Sequence, residues 1–164
     1  MIIGILSDTH DRAAAMAAGI QTLRDAGATF FAHCGDIGSQ ACIDLLAGLP
    51  AAFVFGNTDW NRAPLARYAA SIDVACYGAF GSLELYGKHI ALLHGDDFRL
   101  RQRLIDEQQH DYLFQGHTHI KDDRRIGRMR LINPGALHRA KEKTVATLDT
   151  AAEALRFHIV RAAD

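Results

Sequence analysis

The first 60 residues alternate between short apolar runs and polar clusters, and this alternation constrains the fold more than any other feature. The apolar runs at residues 2–6, 29–33 and 51–55 each have the length of a buried strand and stop at a polar cluster. Helical patterns at residues 12–26 and 40–46 lie between them. The sequence therefore predicts a β-α-β-α-β unit with parallel strands, whose carboxyl ends gather the three clusters at one sheet edge.

The rest of the chain is predicted to be richer in strands. Three hairpins are expected, pairing residues 82–86 with 89–93 around Gly87-Lys88, 120–125 with 129–132 across Gly127, and 143–149 with 154–160. A charged helix at residues 98–109 and a strand at residues 112–115 lie among them. The stretch 60–77 is the least regular, and we expect a short helix and a strand there, around a break at Pro64. Residues 1–164 are predicted to form a single α/β domain.

Composition limits the classes of function. The chain has 49% hydrophobic and 23% charged residues, values typical of a folded protein rather than a disordered one. Its formal charge of −1 gives no signal for binding a nucleic-acid backbone. We expect no signal peptide and no membrane-spanning segment. Three cysteines at unpatterned spacing indicate a reducing compartment, so the predicted location is the cytoplasm.

Five polar motifs each follow a predicted strand, and their side chains are metal ligands: Asp8-Thr9-His10, Gly35-Asp36, Gly56-Asn57-Thr58-Asp59, His94-Gly95 and Gly116-His117-Thr118-His119. Carboxylates and imidazoles suit Mn²⁺, Fe²⁺, Co²⁺, Ni²⁺ or Zn²⁺. In extended backbone, residues i and i+2 point to one side, so Asp8 with His10, and His117 with His119, can each converge on one site. A carboxylate such as Asp36 can bridge two ions held roughly 3.5–4 Å apart.

Each of these residues also has a simpler interpretation. Asp8 alone is more typical of a helix N-cap, and Asn57 of a turn. Histidines are common on surfaces, and a structural or solvent-facing role is expected for His33, His89, His110, His138 and His158. Coincidence would have to produce seven suitable residues in order, so the joint pattern favours a metal site.

The order of the motifs, D-x-H, G-D, G-N-x-D, H-G and G-H-T-H, closed by N-P-G at residues 133–135, resembles the calcineurin-like metallophosphoesterases. Within them it is similar to the small single-domain bacterial and archaeal phosphodiesterases. The resemblance runs from Asp8 to Gly135 and so covers most of the chain. It implies an α/β sandwich of two mixed β-sheets flanked by helices. It also implies hydrolysis of a small phosphodiester or phosphomonoester.

The resemblance further implies a role for each ligand at a centre of two divalent ions, of which manganese is favoured over nickel, iron, cobalt and zinc. One ion would be held by Asp8, His10 and His119. The other would be held by Asn57, His94 and His117, with Asp36 bridging the two. A water or hydroxide between the ions would then be the nucleophile.

One departure leaves the proton donor for the leaving group open. The large protein phosphatases of the superfamily carry G-N-H-E, whereas Thr58 and Asp59 follow Asn57 here. Asp59 is predicted either to orient a ligand or to act catalytically by relaying a proton. Asn57 is expected to contact substrate as well as metal, and Arg139 is expected to reach a substrate phosphate.

Two other functions stay open at this point. A scaffold subunit of the retromer coat resembles the same small fold and uses it mainly for protein binding, but the complete ligand set here favours catalysis. A nuclease is the least favoured because the sequence shows no basic patch. The segment between Asp59 and His94 is too short for a large cap domain, so we expect an open site. A homo-oligomer is compatible with the sequence.

Overall fold

The computed structural model describes residues 1–161, and the last three residues of the predicted domain 1–164 lie outside the described residues. The helices are α1 Ala13–Asp25, α2 Gln40–Asp44, α3 Arg62–Ser71 and α4 Phe98–Glu107. The strands are β1 Ile2–Leu6, β2 Phe30–His33, β3 Ala51–Phe53, β4 Ala75–Cys76, β5 Phe80–Leu85, β6 Lys88–Leu93, β7 Tyr112–Phe114, β8 Asp122–Ile126, β9 Met129–Asn133, β10 Thr144–Asp149 and β11 Ala154–Ile159. Within residues 1–161, no helix is long and apolar enough to cross a bilayer.

The strands form two mixed sheets. The six-stranded sheet has the order β11-β10-β1-β2-β3-β4, in which β1 to β4 are parallel and β10 is antiparallel to both its neighbours. The five-stranded sheet has the order β5-β6-β7-β9-β8, in which β6, β7 and β9 are parallel and the two edge strands are antiparallel. The predicted α/β fold with two mixed sheets is confirmed, as are the parallel unit at the start and the three hairpins.

The sheets pack face to face, and helices cover their outer faces. Ile3 and Ile5 of β1 point into the same inner core as Leu92 of β6 and Phe114 of β7. On the outer face of the first sheet, Leu6 packs in a cluster that includes residues of α1, α2 and α3. Helix α4 covers the second sheet through a cluster that its buried apolar residues share with β6, β7 and β9. Because the parallel strands are covered on both faces, their sequences are continuous apolar runs.

Two local features differ from the prediction. Pro64 does not break the chain but lies in the first turn of α3, where a backbone N–H has no partner within the helix and its loss costs little. The turn between β5 and β6 is formed by Tyr86 and Gly87, not by Gly87 and Lys88. Tyr86 and Gly87 have φ of 54° and 71°, the backbone that two-residue hairpins favour.

Candidate metal centre

The seven predicted ligands follow the carboxyl ends of five parallel strands. Asp8 and His10 follow β1, Asp36 follows β2, and Asn57 follows β3. His94 comes directly after β6, and His117 and His119 follow β7. Backbone hydrogen bonds tie these loops together, since Asp8 N donates to Gly35 O at 3.1 Å and Gly116 N donates to His94 O at 2.9 Å. Between the sheets, the backbone N–H of His117 donates to Oδ2 of Asp8 at 3.1 Å, so the polar ends of both sheets meet at one place.

The backbone at this place is left-handed rather than extended. Five of the predicted ligands have positive φ, namely Asp8 (55°), His10 (47°), Asp36 (54°), His117 (69°) and His119 (59°). The predicted extended backbone is therefore wrong. Asp8 with His10, and His117 with His119, nevertheless converge on the site. Left-handed backbone costs about 1–2 kcal/mol per non-glycine residue. Such strain is concentrated at functional sites, where the surrounding structure holds it.

On one side of the site, Asp8, His10 and His119 have ligand atoms within 4.8 Å of one another. His119 Nε2 lies 3.1 Å from Oδ1 of Asp8. His10 Nε2 lies 3.3 Å from His119 Nε2 and 3.6 Å from Oδ2 of Asp36. These distances bring three donor atoms to a single point that a metal ion can occupy.

On the other side, Asp8, Asp36 and His94 form a second group with ligand atoms within 4.8 Å of one another. His94 Nε2 lies 3.4 Å from Oδ2 of Asp36 and 3.0 Å from Oδ1 of Asn57. The same Asn57 oxygen lies 3.1 Å from Nδ1 of His117. The structure therefore places all seven predicted ligands around two adjoining points, with the two carboxylates between them.

Two histidines are oriented by backbone carbonyls. His94 Nδ1 lies 2.8 Å from the carbonyl oxygen of Cys34, and His119 Nδ1 lies 3.4 Å from that of Arg139. A carbonyl only accepts hydrogen bonds, so each contact favours a proton on Nδ1 and directs the Nε2 lone pair toward the site. This arrangement is typical of histidines that bind metals.

A divalent metal fits this set of residues. Oδ1 of Asp8 is buried, and within residues 1–161 it has no hydrogen-bond partner. It faces the Nε2 atoms of His119, His94 and His10 at 3.1, 3.9 and 4.0 Å. An unpaired buried carboxylate oxygen costs free energy unless a cation or donor reaches it. A metal ion among these atoms would satisfy the carboxylate and the imidazole lone pairs together.

The charges of the site also support binding of a divalent metal. Burial alone would raise the pKa of Asp36, but contacts with His94 and Thr58 outweigh it and hold that pKa well below its usual range. Burial alone would lower the pKa of His94, but the carboxylates of Asp36 and Asp8 outweigh it and raise that pKa. The carboxylates therefore favour protons as well as metal ions on these imidazoles, so protons and metal compete for the same nitrogen atoms. Metal binding replaces such protons and is therefore expected to depend on pH.

Glycines allow the loops to approach the carboxylates. A Cβ on Gly56 would collide with Oδ1 of Asp36, and a Cβ on Gly116 would collide with Oγ of Ser7. A Cβ on Gly35 would lie 2.7 Å from Nδ1 of His94. Gly35, Gly56 and Gly116 are therefore required by close packing.

Asp59 has a positioning geometry. It is 2% exposed, and its carboxylate accepts hydrogen bonds from the backbone N–H groups of Gly56 (2.7 Å), Gly38 (2.8 Å) and Ile37 (3.3 Å). Burial raises its pKa, against these three hydrogen bonds. Of the two predicted roles, this supports orientation of the loops that carry Asp36 and Asn57, rather than proton relay.

Arg139 is placed beside the site, but the recorded contact is made by its backbone, whose carbonyl faces His119. Its exposed side chain lines a cavity next to His119. Two further residues lie near the ligands, although the sequence predicts no role for them in the site. The ring centroid of His138 is 5.8 Å from that of His10, and the ring centroid of Phe98 is 6.3 Å from that of His117. Neither belongs to a recognisable motif, and only proximity in space reveals them.

His33, at the end of β2, has the predicted structural role. It is fully buried, and its Nδ1 accepts a hydrogen bond from Gly35 N at 3.2 Å. Nδ1 therefore carries no proton, so Nε2–H donates to Oγ1 of Thr9, which lies 2.7 Å away. The neutral ring thus joins the loop after β1 to the loop after β2.

We predict that His33 makes stability depend on pH. Burial lowers its pKa from 6.5 to about 4, so the unfolded chain takes up this proton first. The stabilisation is complete above pH 6.5 and declines as the pH falls toward 4, by about 3 kcal/mol in all. Denaturant unfolding of the metal-free protein at pH 7 and pH 4.5 should show a smaller decline for His33→Asn. The exposed residue His89 provides the control, since His89→Asn should decline as the parent does; an unchanged decline in His33→Asn would refute the assignment.

With the geometry established, comparison with known proteins gives the family. Residues 1–153 match the family model described as the calcineurin-like phosphoesterase superfamily domain. The chain belongs to the calcineurin-like phosphoesterase superfamily. The resemblance predicted from the motifs is therefore confirmed, and the chain is a phosphoesterase. This superfamily is metal-dependent, in keeping with the donor set described above.

Individual relatives of this phosphoesterase support the same conclusion. It is 29% identical over 138 residues to the phosphodiesterase MJ0936 of Methanocaldococcus jannaschii, an alignment that covers 82% of this chain and 83% of that protein. It superposes on a solved archaeal phosphodiesterase with a TM-score of 0.89 and 26% identity, covering 98% and 100% of the two chains. Vps29 of Entamoeba histolytica, in a complex with zinc, gives a TM-score of 0.67 at 18% identity, with 98% of each chain covered. That last likeness shows the fold alone, so a scaffold role has only the fold to support it.

Proposed function

We propose that this phosphoesterase is a binuclear metal-dependent phosphodiesterase. The observation that carries the proposal is the buried, unpartnered Oδ1 of Asp8, which faces imidazole nitrogens from three different loops within residues 1–161. The similarity to an archaeal phosphodiesterase over most of both chains supports the reaction class. A cytoplasmic location, a single domain over the whole chain and a homo-oligomer stay predictions.

The first ligand set matches the first group of converging atoms, and the second is built around His94, whose Nε2 lies 3.0 Å from Oδ1 of Asn57, which in turn lies 3.1 Å from Nδ1 of His117. Asp8, His10 and His119 would hold one ion, and Asn57, His94 and His117 would hold the other. Asp36 would bridge them, because its Oδ2 lies 3.6 Å from Nε2 of His10 and 3.4 Å from Nε2 of His94, one histidine from each set. Oδ1 of Asp36 accepts a hydrogen bond from Thr58 N at 2.9 Å, which fixes the carboxylate in this orientation.

The chemistry of the donors favours manganese or a similar ion. Carboxylates and imidazoles surround the two points, and the nearby thiol of Cys34 is unsuited as a ligand because burial raises its pKa. When bound, two such ions polarise the phosphoryl oxygens and lower the pKa of a water toward neutrality. Manganese is therefore our choice for the first assay.

The residues of the chain position the reactants. Asn57 presents its amide between His94 and His117, where it can also contact a phosphoryl oxygen, and Arg139 brings an exposed guanidinium next to His119. Asp59 acts through the three backbone N–H groups that it binds, and so holds the Asp36 and Asn57 loops at their spacing. The substrate would be a small phosphodiester or phosphomonoester, of which we favour the diester.

We predict that metal-stripped protein hydrolyses bis(p-nitrophenyl) phosphate only after Mn²⁺ is added. The release of nitrophenolate is measured by absorbance, and binding of Mn²⁺ is measured separately by calorimetry. Asp36→Asn keeps the shape of the side chain but removes the bridging charge, so it should bind less Mn²⁺ and lose activity by roughly a hundredfold or more. Turnover equal to that of Asp36→Asn, or undiminished turnover after metal removal, would contradict the proposal.

A further inference from the structure

A cavity of about 560 Å³ opens beside the candidate metal centre. It is lined by Thr118, His119, Lys121, Arg139, Lys141 and Glu142, among others. His119 is shared by the candidate metal centre and the cavity. Its Nε2 lies 3.1 Å from Oδ1 of Asp8, and its side chain also forms part of the cavity wall. A group bound in the cavity would therefore lie one side chain away from the candidate metals.

The cavity has an excess of positive charge. Lys121 pairs with Glu142, with Nζ 3.4 Å from Oε2. Arg139 and Lys141 are exposed, and within the described residues 1–161 neither has an acidic partner within ion-pair distance. Two free cations thus line a cavity in a protein whose overall formal charge is −1. This local excess favours an anionic ligand.

The positions and chemical types of the Arg139 and Lys141 cations indicate which class of anion the cavity would bind. Arg139 and Lys141 lie on the His119 side of the site, separate from the Asn57 side where His94 and His117 meet. A guanidinium and an ammonium together match a phosphate, which accepts charge-assisted hydrogen bonds from both. A volume of about 560 Å³ also admits the part of a small molecule that carries the phosphate.

We propose that this cavity binds a second phosphate of the substrate, so that the preferred substrate is a small phosphodiester with a phosphate on the alcohol that is retained. The inference rests on the proposed function, since it places the scissile phosphate at the metal centre. In the reaction, water forms a new P–O bond at the scissile phosphorus while the P–O bond to the leaving alcohol breaks. The leaving alcohol departs with the electron pair, and the second phosphate in the cavity is unchanged.

The test compares two substrates with the same leaving group. Thymidine 5′-(p-nitrophenyl phosphate) has a free 3′-hydroxyl, and its 3′-phosphorylated form differs only in the second phosphate. The Mn²⁺-loaded protein should cleave the 3′-phosphorylated form with roughly tenfold higher kcat/KM, mostly through KM. In Lys141→Ala this ratio should fall most of the way to one, because kcat/KM falls more for the 3′-phosphorylated ester than for the other. Lys143, two residues away and outside the cavity lining, provides the control, and Lys143→Ala should keep the ratio of the parent.

A binding measurement separates this inference from the proposed function. Thymidine 3′,5′-bisphosphate is titrated into metal-free protein by NMR, and the amides of Thr118 and Lys141 should shift in the parent and shift less in Lys141→Ala. If neither ester is hydrolysed but these shifts are seen, the proposed activity fails and the anion site is supported. Equal kcat/KM for the two esters, or a ratio that Lys141→Ala leaves unchanged, would overturn the inference. Absence of the shifts in a protein that hydrolyses neither ester would overturn it as well.

Discussion

Asp8→Asn is expected to abolish the activity and, at the same time, to stabilise the metal-free protein. Activity should fall roughly a thousandfold, because the change removes charge from the metal centre and with it several kcal/mol of transition-state stabilisation. The metal-free fold should gain about 1–3 kcal/mol at a pH where the Nε2 atoms of His119 and His94 carry no proton, because in the parent Oδ1 of Asp8 is then buried with no hydrogen-bond donor among residues 1–161. Hydrolysis of bis(p-nitrophenyl) phosphate and thermal unfolding with and without Mn²⁺ measure the two effects.

The opposite signs of these effects make the experiment decisive. The parent should be stabilised by Mn²⁺, because an ion that binds only the folded state raises its stability, whereas Asp8→Asn should respond little. Asp73 provides a matched control, since it is exposed and has φ of 56°, close to the 55° of Asp8. Asp73→Asn therefore makes the same chemical change at a residue of nearly the same φ and should alter neither activity nor the response to Mn²⁺. If Asp8→Asn destabilised the metal-free protein, Asp8 would be structural rather than a metal ligand.

The sequence could predict the position of the site because that position follows from topology. Apolar runs such as Ile2–Leu6 stop at polar residues, and parallel strands bring those ends to one edge. His94 and His117 follow β6 and β7, which are parallel in the other sheet. That the edges of the two sheets meet depends on how the sheets stack, a long-range property that periodicity alone does not contain.

The sequence could not predict the local backbone of the ligands. Asp8, His10 and Asp36 adopt left-handed φ, which propensity disfavours and only tertiary contacts can hold. The sequence could not predict the three hydrogen bonds to the Asp59 carboxylate either, because their donors are backbone N–H groups, which every residue except proline carries. The motifs therefore identify the types of ligand, whereas backbone contacts set the distances between the ligand atoms.

Gly116, in the loop after β7, packs tightly against Ser7 and Asp8 after β1, and Gly116→Ala is expected to damage fold and activity together. A Cβ there would collide with Oγ of Ser7 and crowd the carboxylate of Asp8. The backbone cannot easily retreat, because Gly116 N donates to His94 O at 2.9 Å and Gly116 O accepts from Asn133 Nδ2 at 2.8 Å. We expect a loss of about 3 kcal/mol in the free energy of unfolding. Activity should fall about a hundredfold as His117 and His119 move relative to Asp8.

The double mutant Ser7→Ala/Gly116→Ala tests whether the collision with Oγ of Ser7 causes the expected loss of stability and activity. Ser7 is buried, and within the described part of the chain its Oγ has no hydrogen-bond partner, so Ser7→Ala alone should leave stability unchanged or raise it slightly. Combined with Gly116→Ala, it removes the nearest colliding atom and should restore part of the lost stability and activity. Such recovery is a coupling energy between the two positions. Gly48→Ala is the control, because no atom lies within 4 Å of a Cβ there and its φ of 71° adds only about 1–2 kcal/mol of backbone strain. Strictly additive effects of Ser7→Ala and Gly116→Ala would show that Gly116 is required for some reason other than the approach of β7 to the Asp8 loop.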